Sequence, residues 1–271
     1  MSQIQQQVTK EVKMAPWLQG CIACFYFALF AGLALIPGGT LIERLRWLDS
    51  GICAQLATHS FYPGGERLPL CARNTGIYLG FFLTLMTLYA TGRGRAQQLP
   101  RWPMIVVLGC GVLALGIDGT NSLALDLGLP HLYQPNNLLR LTTGLVTGLA
   151  LASLALPIFN QLFWHQYNQQ RSIGSWQELL LLLPALVIGG LICVSQQGIA
   201  LYPLALLSTA GILSTVGSVN LIAVIAIGKR QEMFTRYQEL LPFFALAIIF
   251  AIIEMLFLAQ AKVFLLHALG A

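Results

Sequence analysis

The stretch Phe243-Phe-Ala-Leu-Ala-Ile-Ile-Phe-Ala-Ile-Ile253 offers no polar side chain over three helical turns. It lies within a longer apolar run, residues 240 to 265, in which only Glu254 and Lys262 are charged. About 20 apolar residues cross the hydrocarbon core of a bilayer as a helix, and this run is long enough. Six further runs of the same character lie near residues 17–37, 75–92, 103–122, 138–159, 178–199 and 203–228. In lipid the backbone must satisfy its own hydrogen bonds, so each run is expected to be helical. Turn residues separate them: Pro37-Gly-Gly39, Tyr62-Pro-Gly-Gly65, Gly92-Arg-Gly-Arg95, Pro130, Pro135 and Lys229-Arg230. Between the fifth and sixth runs only Tyr202-Pro203 intervenes, after Ser195-Gln-Gln-Gly198, which fits a short hairpin or a broken helix.

Composition agrees with this reading. Of 271 residues, 56% are hydrophobic and 9% charged, and the mean hydropathy is +0.72. Soluble domains carry roughly 25% charged residues. The chain is therefore expected to be all-α: a polytopic transmembrane bundle of about seven spans with its N-terminus inside. Residues 1–14 form a polar tail and residues 15–271 a single integral membrane domain. Lys10 and Lys13 ahead of the first run resemble the start of a secretory signal, but the run is long and lacks a clear small-residue cleavage site, so it is read as a retained helix.

Orientation follows the distribution of Lys and Arg. An inside N-terminus places nine of them in the cytoplasm (Lys10, Lys13, Arg93, Arg95, Arg101, Arg171, Lys229, Arg230, Arg236) and six at the outer side (Arg44, Arg46, Arg67, Arg73, Arg140, Lys262). This basic rim accounts for the net charge of +5, and no nucleic-acid motif is present. Membrane lipids are the expected partners, the prokaryotic cell membrane the expected location, and the sequence gives no oligomeric state.

Polarity gathers at the outer end. Pro69-Leu-Cys-Ala-Arg-Asn-Thr-Gly-Ile-Tyr78 sets a thiol, a guanidinium, an amide and a phenol at the mouth of the second run. Ionisable groups in a membrane segment are expensive, which makes Cys71, Arg73 and Tyr78 site candidates. The third run closes with Asp118-Gly-Thr-Asn121 and the fourth opens with Asn136-Asn-Leu-Leu-Arg140. Asp118 and Asn121 share a helical face by their spacing, as do Asn137 and Arg140. Glu254, in the outer half of the last run, could join them, and Asn220 is expected to bond between helices. Glycine pairs Gly76/Gly80 and Gly144/Gly148 predict close packing of the second and fourth helices, which would bring Arg73 and Arg140 together beside the end of the third.

Two readings of these charges stand side by side. Arg73 and Arg140 pair internally with Asp118 and Glu254 and lock helices together, or they grip a phosphate or carboxylate while Asp118 serves as base or magnesium ligand. The loop from Thr40 to Asn74 adds Asp49, Cys53, Gln55 and His59, with Leu45, Trp47, Leu48, Ile52 and Leu56 forming the apolar face of an interfacial helix. Cys53 and Cys71 could form a disulfide, cycle as a redox pair, or bind a metal with His59, although the spacing matches no zinc pattern and no metal site is assigned. Cys21-Ile-Ala-Cys24 has redox spacing but is read as ordinary packing, as are Cys110 and Cys193.

The segment Pro69–Gly80 resembles the signature of a prokaryotic family of predicted membrane proteins known only as a domain of unknown function. That family shows a Cys-His-Gln stretch, then Arg-Ser, then Pro-Leu-Cys-Ala-Arg-Cys-Thr-Gly-Ile-Tyr, an Asp-Gly element and an Asn-x-x-Arg-x-x-Thr-Gly element. Cys53, Gln55, Ser60, Cys71, Arg73, Thr75, Gly76, Tyr78, Asp118, Gly119, Asn137, Arg140, Thr143 and Gly144 fit these positions, over roughly residues 50–150. Ala54 stands where the resemblance implies histidine and Asn74 where it implies a second cysteine. The resemblance supplies a site and no reaction.

Three functions are compatible with this sequence. The first is binding, transport or modification of an anionic lipid-like substrate in an outer pocket, with Arg73, Arg140, Asn137, Asn121 and Tyr78 as binding residues and Asp118 and Cys71 as catalytic candidates. The second is a thiol-redox enzyme using Cys53 and Cys71, with a quinone as one conceivable partner. The third is a non-catalytic assembly or scaffold protein. No cofactor motif is present to decide between them.

Overall fold

The computed structural model describes residues 36–268, together with Gly20, Ala23 and Phe27. The polar tail, Lys10, Lys13, Cys21, Cys24 and almost all of the first apolar run lie outside the described residues. Between residues 36 and 268 seven α-helices follow one another: α1 (Leu41–Asp49), α2 (Ala72–Ala90), α3 (Trp102–Asp126), α4 (Asn137–Phe163), α5 (Trp176–Ser195), α6 (Leu201–Ile227) and α7 (Tyr237–Ala268). No strand occurs among the described residues. Five helices, α3 to α7, are long and apolar enough to cross a membrane. The helix of the second predicted run, α2, is not among them, because Arg73 and Asn74 occupy its first turn.

Local signals set the helix ends. Thr40 and Glu43 form a reciprocal capping box on α1, Asn136 accepts the Leu139 N–H at the start of α4, and Ser175 accepts that of Glu178 at the start of α5. Between α5 and α6 the chain makes a hairpin: Gln196 turns left-handed (φ 49°), a short turn spans Gly198–Ala200, and Pro203 falls in the first turn of α6.

Helices α3 and α4 are equally apolar but lie at different depths in the bundle. Only 17% of the apolar window of α3 is covered by protein, against 61% for α4, so α3 lies at the periphery and α4 at the centre. Helix α2 sits against α4, α6 and α5, with α4 its closest neighbour. Glycines permit that approach. A Cβ at Gly80 would stand 2.6 Å from the Leu145 carbonyl, and Cβ atoms at Gly76, Gly144 and Gly148 would strike the backbone carbonyls of Leu141, Arg73 and Ile77. The predicted glycine faces therefore meet in one backbone-to-backbone seam. On the far side of α2, Gly211 of α6 receives the Tyr78 carbonyl in the same manner.

Helix α1 packs on α6 and α7 through Ile42, Leu45 and Leu48, while Leu56 beyond it is exposed. The loops divide between two ends. At one, Tyr62 and Gly64 bond to Gln196, His59 meets Asp126, and Lys262 of α7 donates to the Ser50 carbonyl. At the other, Gln97, Asn168, Ser172 and Thr235 knit together the loops that carry Arg93, Arg95, Arg101, Arg171, Lys229, Arg230 and Arg236. The loops assigned to the cytoplasm by charge thus gather at one end of the bundle.

Candidate functional site

Two polar clusters occupy the less basic end, on opposite sides of α2. Five residues of helix turn the chain by about 140° beyond one full revolution. Arg73 therefore faces α3 while Tyr78 faces α6.

The first cluster is built around the Cys53 sulfur. Backbone N–H groups of Gln55 and Cys71 point at it from 3.4 Å each, and the Asn74 amide and the Cys71 thiol add further donors. Gln55 can present its N–H because it is held in the left-handed region (φ 57°), where a residue with a Cβ is strained. Its side-chain amide donates to the carbonyls of Arg46 and Pro69, at 2.6 Å each, and its own carbonyl accepts from Arg67 at 3.0 Å. These donors, led by the Cys71 thiol, outweigh burial and hold the Cys53 thiol down to about 6. Cys71 moves the other way, because its proton is engaged by the Cys53 sulfur and its surroundings are buried. Both cysteines are free.

Asp49 closes this cluster. It is fully buried; Oδ2 accepts from the Thr209 hydroxyl at 2.8 Å, and Oδ1 has no partner. Burial pushes its carboxyl up to about 7, with the nearby Cys53 adding to the rise. Cys53 and Ala54 border a cavity of about 370 Å³ between the loop and the end of α7, which Ser50, Gly51, Ala261 and Lys262 also line. Sequence reasoning noted Asp49 only as one polar loop residue. Its position as the last residue of α1, directly after buried Leu48, was the available signal.

The second cluster joins α2, α3 and α4. Arg73 donates to Asp118 through Nε (3.2 Å) and Nη2, to the Asp118 carbonyl (3.1 Å) and to Ser122 Oγ (3.0 Å). Tyr133 of the α3–α4 loop donates to the other Asp118 oxygen at 3.1 Å. Asn121 faces the same loop, accepting from the N–H groups of Leu132 and Tyr133 and donating to the Tyr133 carbonyl. Asn137 donates to the carbonyls of Thr58 and Ser60 and accepts from Arg140 Nη1 at 2.9 Å. Arg140 is 4% exposed, lies within electrostatic reach of Arg73, Asp118 and Asp126, and leaves its Nε without a partner. His59 contacts Asp126 at 3.3 Å, and burial lowers its basicity.

The sequence-predicted residues thus fall into two groups. Arg73, Asp118, Asn121, Asn137 and Arg140 come together; Cys53, Cys71 and Tyr78 form the other set, so Tyr78 does not stand with the arginines. Glu254 joins neither, because it accepts from Asn220 at 3.0 Å across the α6–α7 contact. Asn220 does bond between helices as expected. Cys193 is buried, but Cys110 is exposed on the peripheral face of α3 rather than packed. Among the described residues no three His, Cys, Asp or Glu side chains are placed to hold a metal. The Asn74 amide serves the sulfur at the position where the resemblance implies a cysteine.

Comparison with known proteins follows the same region of the chain. Residues 53–154 match the family model described as "Predicted membrane protein (DUF2085)". An uncharacterized protein of Methanocaldococcus jannaschii, MJ1492, is 28% identical over 118 residues, which cover 43% of this chain and 69% of that one. No solved structure matches. The matched segment contains the α2–α4 seam and both polar clusters except Asp49 and its partner Thr209, and the chain is similar in this region to membrane proteins whose activity is unassigned.

Proposed function

We propose that this chain is a multi-pass membrane protein that carries out thiol–disulfide exchange, with Cys53 as nucleophile and Cys71 as resolving thiol. The observation that carries this reading is the convergence of four donors on one sulfur beside a second, protonated thiol, at the edge of a cavity. A fixed thiolate attacks a disulfide, and a neighbouring thiol releases the product. The Cys53 thiolate attacks one sulfur of a substrate disulfide, forming a mixed disulfide and expelling the other sulfur as a thiolate that takes up a proton. Cys71 then attacks the Cys53 sulfur, and its proton passes to the departing second substrate sulfur. A Cys53–Cys71 disulfide forms and the second substrate thiol leaves. A second dithiol compound reverses these steps, so the pair passes two electrons and two protons between thiol–disulfide couples.

The charge distribution supports an inside N-terminus, α2 as a further crossing, and a thiol pair facing the outer side of a prokaryotic cell membrane. The test is trapping. A Cys71→Ser variant incubated with a small aromatic disulfide should accumulate a mixed disulfide on Cys53, detected by intact mass, while the wild type releases both thiols and becomes internally oxidised. Absence of adduct on Cys53 in Cys71→Ser would refute the assignment.

A second reading, anion binding at the arginine cluster, is favoured by the unpartnered, buried Nε of Arg140. It predicts that Arg140→Gln loses a bound phosphate or carboxylate compound in native mass spectrometry. Arg73 is less suited to that task, because its contacts are with Asp118 and Ser122.

A further inference from the structure

At the arginine-rich end, far from both clusters, Arg95 lies across two aromatic rings. Its guanidinium carbon is 4.0 Å from the ring centre of Trp164 and 4.5 Å from that of Tyr237. It donates to the Thr235 carbonyl at 3.2 Å and has no carboxylate partner among the described residues. Arg93, two residues away, is neutralised by Glu178, and Glu239 is turned to the N–H groups of Thr235 and Arg236. A half-buried arginine held in place by stacking, with no carboxylate beside it among the described residues, presents a fixed positive charge suited to an anion.

The space around it has two parts. A polar basin of about 260 Å³ is lined by Arg95, Gln97, Gln166, Asn168 and Thr235. Its walls are fixed by bonds such as Gln97 Nε2 to the Asn160 carbonyl (3.0 Å) and the Asn168 N–H to Gln97 Oε1 (2.8 Å). An apolar slot of about 210 Å³ opens between α2, α4, α6 and α7, walled by Phe81, Leu85, Leu156, Phe159, Leu240 and Phe244. Basin and slot share Trp164, and Tyr237, on which Arg95 also stacks, lines the slot. Tyr89, Trp164, Tyr167 and Tyr237 mark this level as the membrane–water boundary, where amphipathic rings collect.

We propose that this composite cavity binds a net-anionic membrane amphiphile that carries a phosphate, not neutralised by a cation of its own, on a long apolar chain, with the phosphate on Arg95 in the basin and the chain in the slot. Charge complementarity selects the head group: among the described residues the only charged side chain lining either part is Arg95. A polar basin that adjoins an apolar slot across Trp164 selects a chain-bearing ligand over free phosphate. The same chemistry is available from an anionic phospholipid diester such as phosphatidylglycerol and from a polyprenyl phosphate monoester, but not from zwitterionic phosphatidylcholine.

The experiment is native mass spectrometry of the purified full chain in detergent. It is titrated in separate arms with dioleoyl phosphatidylglycerol, a polyprenyl phosphate, dioleoyl phosphatidylcholine and inorganic phosphate. Wild type should retain at least one phosphate lipid five-fold or more above phosphatidylcholine and above inorganic phosphate, and the arm retained more strongly names the source. Arg95→Gln should reduce that preference to none, and Arg95→Lys should keep part of it. Ser218→Leu, which narrows the slot while leaving Arg95 in place, should lose the phosphate lipid as well, so the result does not depend on one variant folding. Equal retention of phosphatidylcholine by wild type, or an undiminished preference in Arg95→Gln or in Ser218→Leu, overturns the proposal.

Discussion

At the scale of single residues, burial and hydrogen bonding pull the Cys53 thiol in opposite directions. A thiol in an apolar setting is ordinarily harder to ionise, yet Cys53 is 3% exposed and is held well below the ordinary thiol range, because the donors around it outweigh the cost of burial. Its alkylation by iodoacetamide, followed by peptide mass spectrometry, should therefore reach half-maximum at least one pH unit below the value of about 8.5 for a free thiol. Asn74→Ala should move that midpoint up, and a wild-type midpoint near that of a free thiol would contradict the geometry. Asp49 makes the opposite case. Its carboxyl titrates near 3.8 when unperturbed and near 7 in the fold. Between those values the folded chain keeps a proton that the unfolded chain has released, so stability is full below about pH 4 and falls as pH rises through 7. The loss is on the order of a few kcal/mol. Thermal unfolding in detergent from pH 4.5 to 8 should show this fall in wild type, and Asp49→Asn should flatten it; parallel curves for the two proteins would count against a buried carboxyl with a raised pKa.

At the scale of helices, two devices hold the central bundle, and only one was fully legible in the sequence. The Gly76/Gly80 and Gly144/Gly148 spacings announced the α2–α4 seam, because four residues return a helix to the same face and only glycine lets backbones touch. Gly148→Val should be costly, since its Cβ would meet the Ile77 carbonyl and, at 2.5 Å, the Phe81 nitrogen, neither of which can swing away. A loss of at least 1–3 kcal/mol, roughly the cost of overpacking, is expected as a lowered thermal midpoint. Gly109→Val on α3, whose Cβ would meet nothing within 4 Å, should leave the midpoint unchanged. The second device, Arg73 to Asp118, was legible only as two alternatives, because charge alone does not say whether two ions bind each other or a third. With Asp118 1% exposed, Arg73→Gln should strand a buried carboxylate at a cost of about 3–5 kcal/mol, whereas Arg73→Met with Asp118→Leu should recover most of it. What the sequence could not convey was rotation: Tyr78 reads as a neighbour of Arg73 along the chain but faces α6, and Glu254 reads as a fourth charge for the cluster but ends on Asn220. Asn160, which ties Gly94, Ala96 and Trp164 together, lay unmarked just past the end of the fourth run, because its partners are distant backbone groups that leave no pattern.

At the scale of the whole molecule, the two ends differ in chemistry, and the difference makes a prediction about sidedness. One end holds the Cys53 and Cys71 thiols, Asp49 and the arginine–aspartate cluster; the other holds the loops with Arg93, Arg95, Arg101, Arg171, Lys229, Arg230 and Arg236. Positive loops are retained in the cytoplasm, and the cytoplasmic leaflet is the more anionic, so the Arg95 cavity should face inward and the thiols outward, where disulfides persist. Exposed positions in facing loops can report this directly. In a background with Cys110 replaced by alanine, His131→Cys in the α3–α4 loop should react with a membrane-impermeant maleimide added to intact cells. Gln169→Cys in the α4–α5 loop should react only after the cells are opened. The reverse pattern would place the thiol pair in the reducing cytosol, where a stable disulfide is disfavoured, and the exchange reaction would then run toward reduction of its substrate. Labelling of both positions from outside would break the bundle's two-ended arrangement itself, since the loops carrying His131 and Gln169 are separated by the full length of α4.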